Sequence, residues 1–129
     1  MLAIDTNLIV RYLVNDDPGQ AARACKLIDD NDVFVCVTVI LETEWVLRSA
    51  YGFSAAQCAK ALTDFAGLPR VTLEDAASVA KALGWMREGM EFADGLHLAK
   101  AEGCDAFISL DQDFAKAANT LEGIKVRAP

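Results

Sequence analysis

Short apolar runs alternate with longer helical segments along this chain, and this alternation is the feature that most limits its fold. Candidate strands rich in β-branched and aromatic residues lie at 2–4, 33–37, 70–73 and 105–109, with a candidate edge strand at 124–127. No two runs are joined by the short turn that is typical of a β-hairpin. Because helices between strands favour parallel pairing, we predict a three-layer α/β/α fold with a central, mainly parallel sheet of four or five strands.

Helix signals separate these strands. Asp17-Pro18 is a typical helix start, Ser54 and Gln57 form a capping box, and Gly103 is a typical helix end. Apolar spacing and these signals predict helices at 9–14, 16–30, 38–51, 54–66, 74–87, 92–102 and 113–119. The 129 residues contain no repeat or linker, so we expect a single domain over 1–129.

Composition limits the function. Acids outnumber bases by 19 to 12, giving a formal net charge of -7, which argues against a basic surface that grips nucleic acid unaided. A site in which metal ions supply positive charge stays open.

The four cysteines form no C-x-x-C pair and there is only one histidine, so a zinc site is not expected. Their apolar neighbours predict reduced, buried thiols. With no leader or membrane span predicted, we expect a cytoplasmic protein.

Acidic residues follow the predicted strands. Asp5 and Asp111 each come just after a strand, Glu42 lies early in the helix after the second strand, and Asp94 opens the helix before the fourth. The carboxyl ends of parallel strands line the crevice where ligands bind. Grouped carboxylates repel one another, and Mg²⁺ or Mn²⁺ would relieve this. Taken singly, each aspartate is better explained as a helix cap or turn residue, and Glu42 as a solvated helix residue. Taken together, the four acids leave the structural and the functional interpretation open.

Four segments together resemble the four acidic motifs of PIN-domain nucleases, and they occur in the family's order. They are MLAIDTNLIVRYL at 1–13, VTVILETEWVL at 37–47, FADGLHLA at 92–99 and FISLDQDF at 107–114. The length and the motifs are most similar to the VapC-type toxins of bacterial toxin–antitoxin pairs. The resemblance implies a PIN-like fold and a metal-dependent endoribonuclease that uses Mg²⁺ or Mn²⁺.

The resemblance also assigns roles to individual residues. The acids that match the catalytic and metal-binding positions are Asp5, Glu42, Asp94 and Asp111, and Asp113 matches a further metal-linked position. The small polar residues that match acid-orienting positions are Thr6, Asn7 and Ser109. The implied partners are an RNA substrate, a small antitoxin and a second copy in a homodimer, with no membrane. Two alternatives stay open: a PIN nuclease that acts on DNA, and a PIN scaffold that binds RNA or a partner without cleavage.

Several nearby residues receive structural interpretations. We expect Glu44 and Arg11 to be solvated charges, and Trp45 to belong to the core or an interface. His97 is expected to be hydrogen-bonded near the core edge. Gly95 stands where the resembled family more often has alanine, at some cost in helix propensity.

Overall fold

Five strands and seven helices alternate along the chain in the computed structural model, which describes residues 1–129. The strands are β1 Leu2–Ala3, β2 Val33–Val35, β3 Val71–Leu73, β4 Phe107–Ile108 and β5 Val126–Arg127. The helices are α1 Thr6–Leu13, α2 Pro18–Asp30, α3 Val37–Ser49, α4 Ala55–Ala66, α5 Ala76–Arg87, α6 Phe92–Lys100 and α7 Gln112–Ala118. None of the helices combines the length and apolar character needed to span a bilayer. The chain divides into two units, Met1–Ala76 and Ala77–Pro129.

The first unit is built on a three-stranded parallel sheet in the order β1-β2-β3. Leu2 pairs with Val33, and Val33 pairs in turn with Val71. The middle strand is the most buried, because Val33 and Val35 are both fully inaccessible to solvent. Its carboxyl end leads directly into α3, as the carboxyl end of β1 leads into α1. Both helices therefore begin at the same edge of this sheet.

The second unit contains a parallel pair, β4 and β5. The backbone N–H groups of Phe107 and Ser109 donate to the carbonyls of Lys125 and Arg127, at 2.8 and 3.1 Å. Every pairing in the protein is parallel, as predicted. The difference from the prediction is that hydrogen bonds divide the five strands between a sheet of three and a sheet of two. The reason is that the backbone groups of β4 form their hydrogen bonds with the short C-terminal strand β5.

Apolar side chains of the second unit form their own core around this pair. Phe114 of α7 packs edge to face on Phe107 of β4, with ring centroids 5.5 Å apart. The buried members of the cluster are Met90, Leu98, Phe114, Ala118 and Val126. Asn119 attaches β5 to the end of α7, since its side chain donates to the carbonyl of Val126 and accepts from the N–H of Val126.

The predicted caps form as expected at α2 and α4. Asp17 accepts from the backbone N–H of Gln20 at 3.1 Å. Ser54 and Gln57 form both hydrogen bonds of the capping box. Helix α5 begins later than predicted, at Ala76, because the backbone N–H of Glu74 still donates to Val35 of β2 and Asp75 has a positive φ of 52°, which is not helical.

Glu44 is buried, and the prediction that it is a solvated charge was wrong. Only 1% of the residue is exposed, and both carboxylate oxygens accept from the Nε of Arg48, at 2.8 and 3.0 Å. Arg48 lies one helical turn further along α3 and is partly exposed. Glu44 also acts on a neighbouring thiol: burial first, and then the charge of Glu44, raise the pKa of Cys58 to about 11.

All four cysteines are free, but their surroundings differ. Cys58 is buried, Cys25 and Cys36 are half-buried, and Cys104 is exposed. The prediction of buried thiols is therefore confirmed for Cys58 and wrong for Cys104. Cys104 lies in the turn after α6 and follows Gly103. Gly103 has a positive φ of 95°, which suits glycine.

Gly95 allows α6 to pack closely on α5. A Cβ atom at this position would lie 3.3 Å from the Cα of Ala82 and 3.4 Å from the ring of Trp85. The first of these atoms belongs to the backbone of α5, so it can move only if the helix moves. Glycine at 95 thus has a lower helix propensity than alanine but allows the two helices to come into close contact.

Gly95→Ala is expected to lower the free energy of unfolding by about 1 kcal/mol, because overpacking outweighs the gain in helix propensity. Gly84 provides the matched control in α5, since it is exposed and a Cβ there would meet no atom within 4 Å. Gly84→Ala should raise stability by roughly 0.5–1 kcal/mol. Urea unfolding of both variants measures the two changes, and equal stabilisation by both would contradict the packing explanation.

Candidate active site

Asp5 lies at the junction between β1 and α1, at the carboxyl edge of the first unit's sheet. It is the N-cap of α1, and its Oδ1 accepts from the backbone N–H of Leu8 at 3.0 Å. This bond explains why α1 begins at Thr6, three residues earlier than predicted. The side chain is exposed, and its Oδ2 takes no part in the cap. Asp5 can therefore cap the helix and still offer one oxygen to a ligand.

Glu42 is held beside the start of α1. The hydroxyl of Thr6 donates a hydrogen bond to Oε1 of Glu42 across 36 residues of sequence. Thr6 is buried, whereas Glu42 is exposed in the second turn of α3. Since Thr6 directly follows Asp5, this bond brings two of the sequence-predicted acids to the same edge of the sheet. The same bond orients the Glu42 carboxylate.

Asp94 lies in the first turn of α6, in the second unit. Partial burial, and then the negative charges of Glu91 and Asp111, raise the pKa of its carboxyl group. His97 acts in the opposite direction and lowers this pKa. Asp111 is thus near enough to Asp94 for the two carboxylates to repel each other. A cation between them would remove this repulsion.

Asp111 is the N-cap of α7, directly after β4. Its Oδ1 accepts from the N–H of Phe114, and its own N–H donates to the hydroxyl of Ser109, both at 3.0 Å. Like Asp5, it uses one carboxylate oxygen for the cap. Asp113 is exposed in the first turn of the same helix. Asn7 is exposed on α1 and makes no hydrogen bond to an acid.

Each unit thus contributes two of the predicted acids. Neither unit by itself gathers three or more Asp, Glu, His or Cys side chains into a group that could hold a metal ion. The donor chemistry fits a hard divalent cation, because the available ligands are carboxylate oxygens and carboxylates are the ligands that Mg²⁺ prefers. The mutual repulsion of Asp94 and Asp111 is a second observation in favour of this fit.

Arg11 belongs to a polar network, and the prediction that it is a solvated charge was wrong. Its guanidinium donates to Asp16 at 2.9 Å, to Gln20 at 2.6 Å and to the Tyr51 hydroxyl at 3.1 Å. The Tyr51 hydroxyl also donates to Asp16, and this bond is the main cause of the lowered pKa of the Asp16 carboxyl. The network connects α1 with the beginning of α2 and with the turn after α3. Sequence reasoning missed it because its members are up to 40 residues apart.

Two other residues near the motifs are exposed. Trp45 is 60% exposed on α3, three residues after Glu42, so it is not part of the core. His97 is exposed on α6 and forms no hydrogen bond, in contrast to the prediction. Its contribution to the site is electrostatic, through Asp94.

Comparisons with known proteins identify the family. A model of the PIN domain family matches residues 2–119, a range that includes all four predicted acids. Among solved structures, the chain is similar to VapC20 from Mycobacterium tuberculosis, a sarcin-ricin loop cleaving toxin. The two share 19% sequence identity with a TM-score of 0.46, over 92% of this chain and 95% of that chain. A search of curated proteins gave no match. The chain belongs to the PIN domain family, the nuclease family that its four acidic motifs predicted.

Proposed function

We propose that this protein is a metal-dependent endoribonuclease that hydrolyses RNA phosphodiester bonds, as the toxin of a type II toxin–antitoxin pair. The observation that carries the proposal is the hydrogen bond from Thr6 to Glu42. It joins the first two acidic motifs of a PIN-family chain at the carboxyl edge of a parallel sheet, where ligands bind in such folds. An ordinary surface glutamate would not need a buried threonine to orient it.

We assign the metal to the four motif acids. The proposed ligands are Asp5, Glu42, Asp94 and Asp111, with Asp113 assisting. The proposal needs residues 1–129 to act as a single domain, because each unit supplies two of these acids. When bound, Mg²⁺ or Mn²⁺ activates water and stabilises negative charge on the phosphate oxygens.

The chain's own residues orient these carboxylates. Thr6 holds Glu42 through its hydroxyl, and Ser109 holds the backbone of Asp111. The helix caps fix the directions of Asp5 and Asp111, because each cap uses one carboxylate oxygen and leaves the second oxygen in a defined position. We assign to Asn7, at the N-terminal end of α1, a supporting role beside Asp5. Fixed carboxylates bind a small cation with less loss of conformational freedom than mobile ones.

The partners follow from the same family resemblance. We propose a homodimer in the cytoplasm, where four free cysteines remain reduced. A net charge of -7 favours an inhibitor with a basic segment over free RNA. We therefore propose that a small antitoxin with a basic segment covers the acids.

Cleavage assays with matched nucleic acids test the proposal. We expect the purified chain to cut a labelled single-stranded RNA with Mg²⁺ or Mn²⁺ and to leave it intact in EDTA. A DNA of the same sequence is the control substrate. Preferred cutting of the DNA would favour the DNA-nuclease alternative, and binding of RNA without cutting would favour a non-cleaving scaffold. Cutting that is equally fast in EDTA would contradict the assignment of a metal.

A further inference from the structure

A groove between α1 and α2 opens beside Asp5. Its volume is about 320 Å³, which is within the size range of small-molecule sites. The residues that line it are Asp5, Asn7, Leu8, Arg11, Gln20, Arg23, Ala24 and Leu27. All of them belong to the first unit. Because Asp5 is one of the proposed metal ligands, an occupant of this groove would lie directly next to the reacting phosphate.

The groove is lined by an apolar wall and by polar side chains. The apolar wall consists of Leu8 from α1 and of Ala24 and Leu27 from α2, so a flat apolar group could pack against it. Asn7 and Gln20 add amide groups to the lining. This combination suits a nucleobase, which has apolar faces and hydrogen-bonding edges.

Arg23 is the only lining cation that is free to bind a ligand. It is exposed on α2 and makes no ion pair or hydrogen bond. The charge of Arg11, the other lining cation, is already neutralised by Asp16. One turn along α2, Lys26 is paired with Asp30. In a protein with a net charge of -7, an unpaired guanidinium at the mouth of a groove is a specific attraction for an anion.

We propose that this groove binds the nucleotide adjacent to the cleaved bond, with Arg23 holding its phosphate and the apolar wall holding its base. The inference rests on the proposed function and names the part of the first unit that positions its RNA substrate. An RNA strand complements both features of the groove, because every nucleotide carries a phosphate for Arg23 and a flat base for the apolar wall. Arg23 is thus a positioning residue and takes no part in the chemical step.

Binding without cleavage tests the proposal. The probe is a fluorescein-labelled single-stranded RNA of eight nucleotides, titrated in EDTA and followed by anisotropy. Arg23→Gln should weaken binding about 10-fold. It should also make the slope of log K against log salt concentration less steep, by roughly the amount expected for the loss of one phosphate contact. Lys26→Gln, which removes an equal charge from the same helix outside the groove, should change the affinity less than about twofold. Equal losses in the two variants, or none in either, would overturn the proposal.

Nuclear magnetic resonance tests the apolar wall separately. Titration with 5′-AMP should shift the methyl resonances of Leu8 and Leu27, whereas inorganic phosphate should leave them in place. Methyl resonances that respond to neither probe would contradict a base in the groove.

Two further measurements separate this proposal from its alternatives. If Arg23→Gln changes the sedimentation coefficient and leaves RNA affinity unchanged, the groove is a contact between protein chains and the proposal is overturned. In cleavage assays with Mg²⁺, the same variant should raise KM about 10-fold with kcat nearly unchanged. If the wild-type protein binds the probe through Arg23 but never cuts RNA, the groove is a nucleotide site and the proposed function fails.

Discussion

Asp5→Asn is expected to lower metal-dependent RNA cleavage by about 10³-fold or more, because it removes a charged ligand from the proposed metal site. The fold should remain intact. Asparagine caps a helix nearly as well as aspartate, so the Leu8 N–H that now donates to Asp5 keeps an acceptor. A loss of activity in this variant would therefore reflect the missing charge and not a missing helix.

Asp17→Asn is the matched control for this experiment. Asp17 caps α2 as Asp5 caps α1, accepts from the N–H of Gln20, and does not line the groove beside Asp5. The control removes the same charge from the same kind of position and should retain wild-type cleavage. Initial rates with labelled RNA measure activity, and thermal unfolding measures the fold. Wild-type cleavage by a folded Asp5→Asn protein would refute the site assignment.

Arg48→Met is expected to lower the free energy of unfolding by about 3 kcal/mol. Glu44 is almost fully buried, and both of its oxygens accept from Arg48. Without the guanidinium, the buried carboxyl group of Glu44 would lose the partner of both its oxygens. The methionine side chain replaces much of the apolar contact of the arginine stem, so the loss is attributable to charge.

The double variant Glu44→Met/Arg48→Met separates the charge effect from packing. Removal of both partners leaves no buried charge, so its stability should be within about 1 kcal/mol of wild type. Urea unfolding of the two single variants and the double variant gives the coupling energy between the residues. A double variant as unstable as Arg48→Met alone would show that packing, and not the unpaired carboxylate, causes the loss.

Local signals predicted the ends of several helices because the hydrogen bonds involved join residues three apart. Ser54 and Gln57 are an example, since each binds the backbone of the other. The start of α1 was misplaced for a related reason. The cap bond from the Leu8 N–H to Asp5 also joins residues three apart, but the helix was predicted from the apolar residue Ile9, so its first turn was missed.

The candidate site was predictable only as a set of motifs. The acids of the first unit come together through Thr6 and Glu42, which are 36 residues apart. The groove beside Asp5 was not predicted at all, since no motif signals that Leu8 and Leu27 would line the same groove. Arg23 lies outside all four motifs, so its lack of a partner could be recognised only from the folded chain.

The sequence by itself determined the alternation of strands and helices, the parallel pairing and the identity of the motif acids. The alternation and the parallel pairing follow from periodicity, caps and residue types, which act over a few positions, and the motif acids follow from the resemblance to the PIN family. The tertiary structure alone decided which strands share a sheet, that Glu44 is buried with Arg48, and that Arg11 is neutralised while Arg23 is not. Such outcomes depend on which helix faces meet, because burial and pairing are set by neighbours that are distant along the chain.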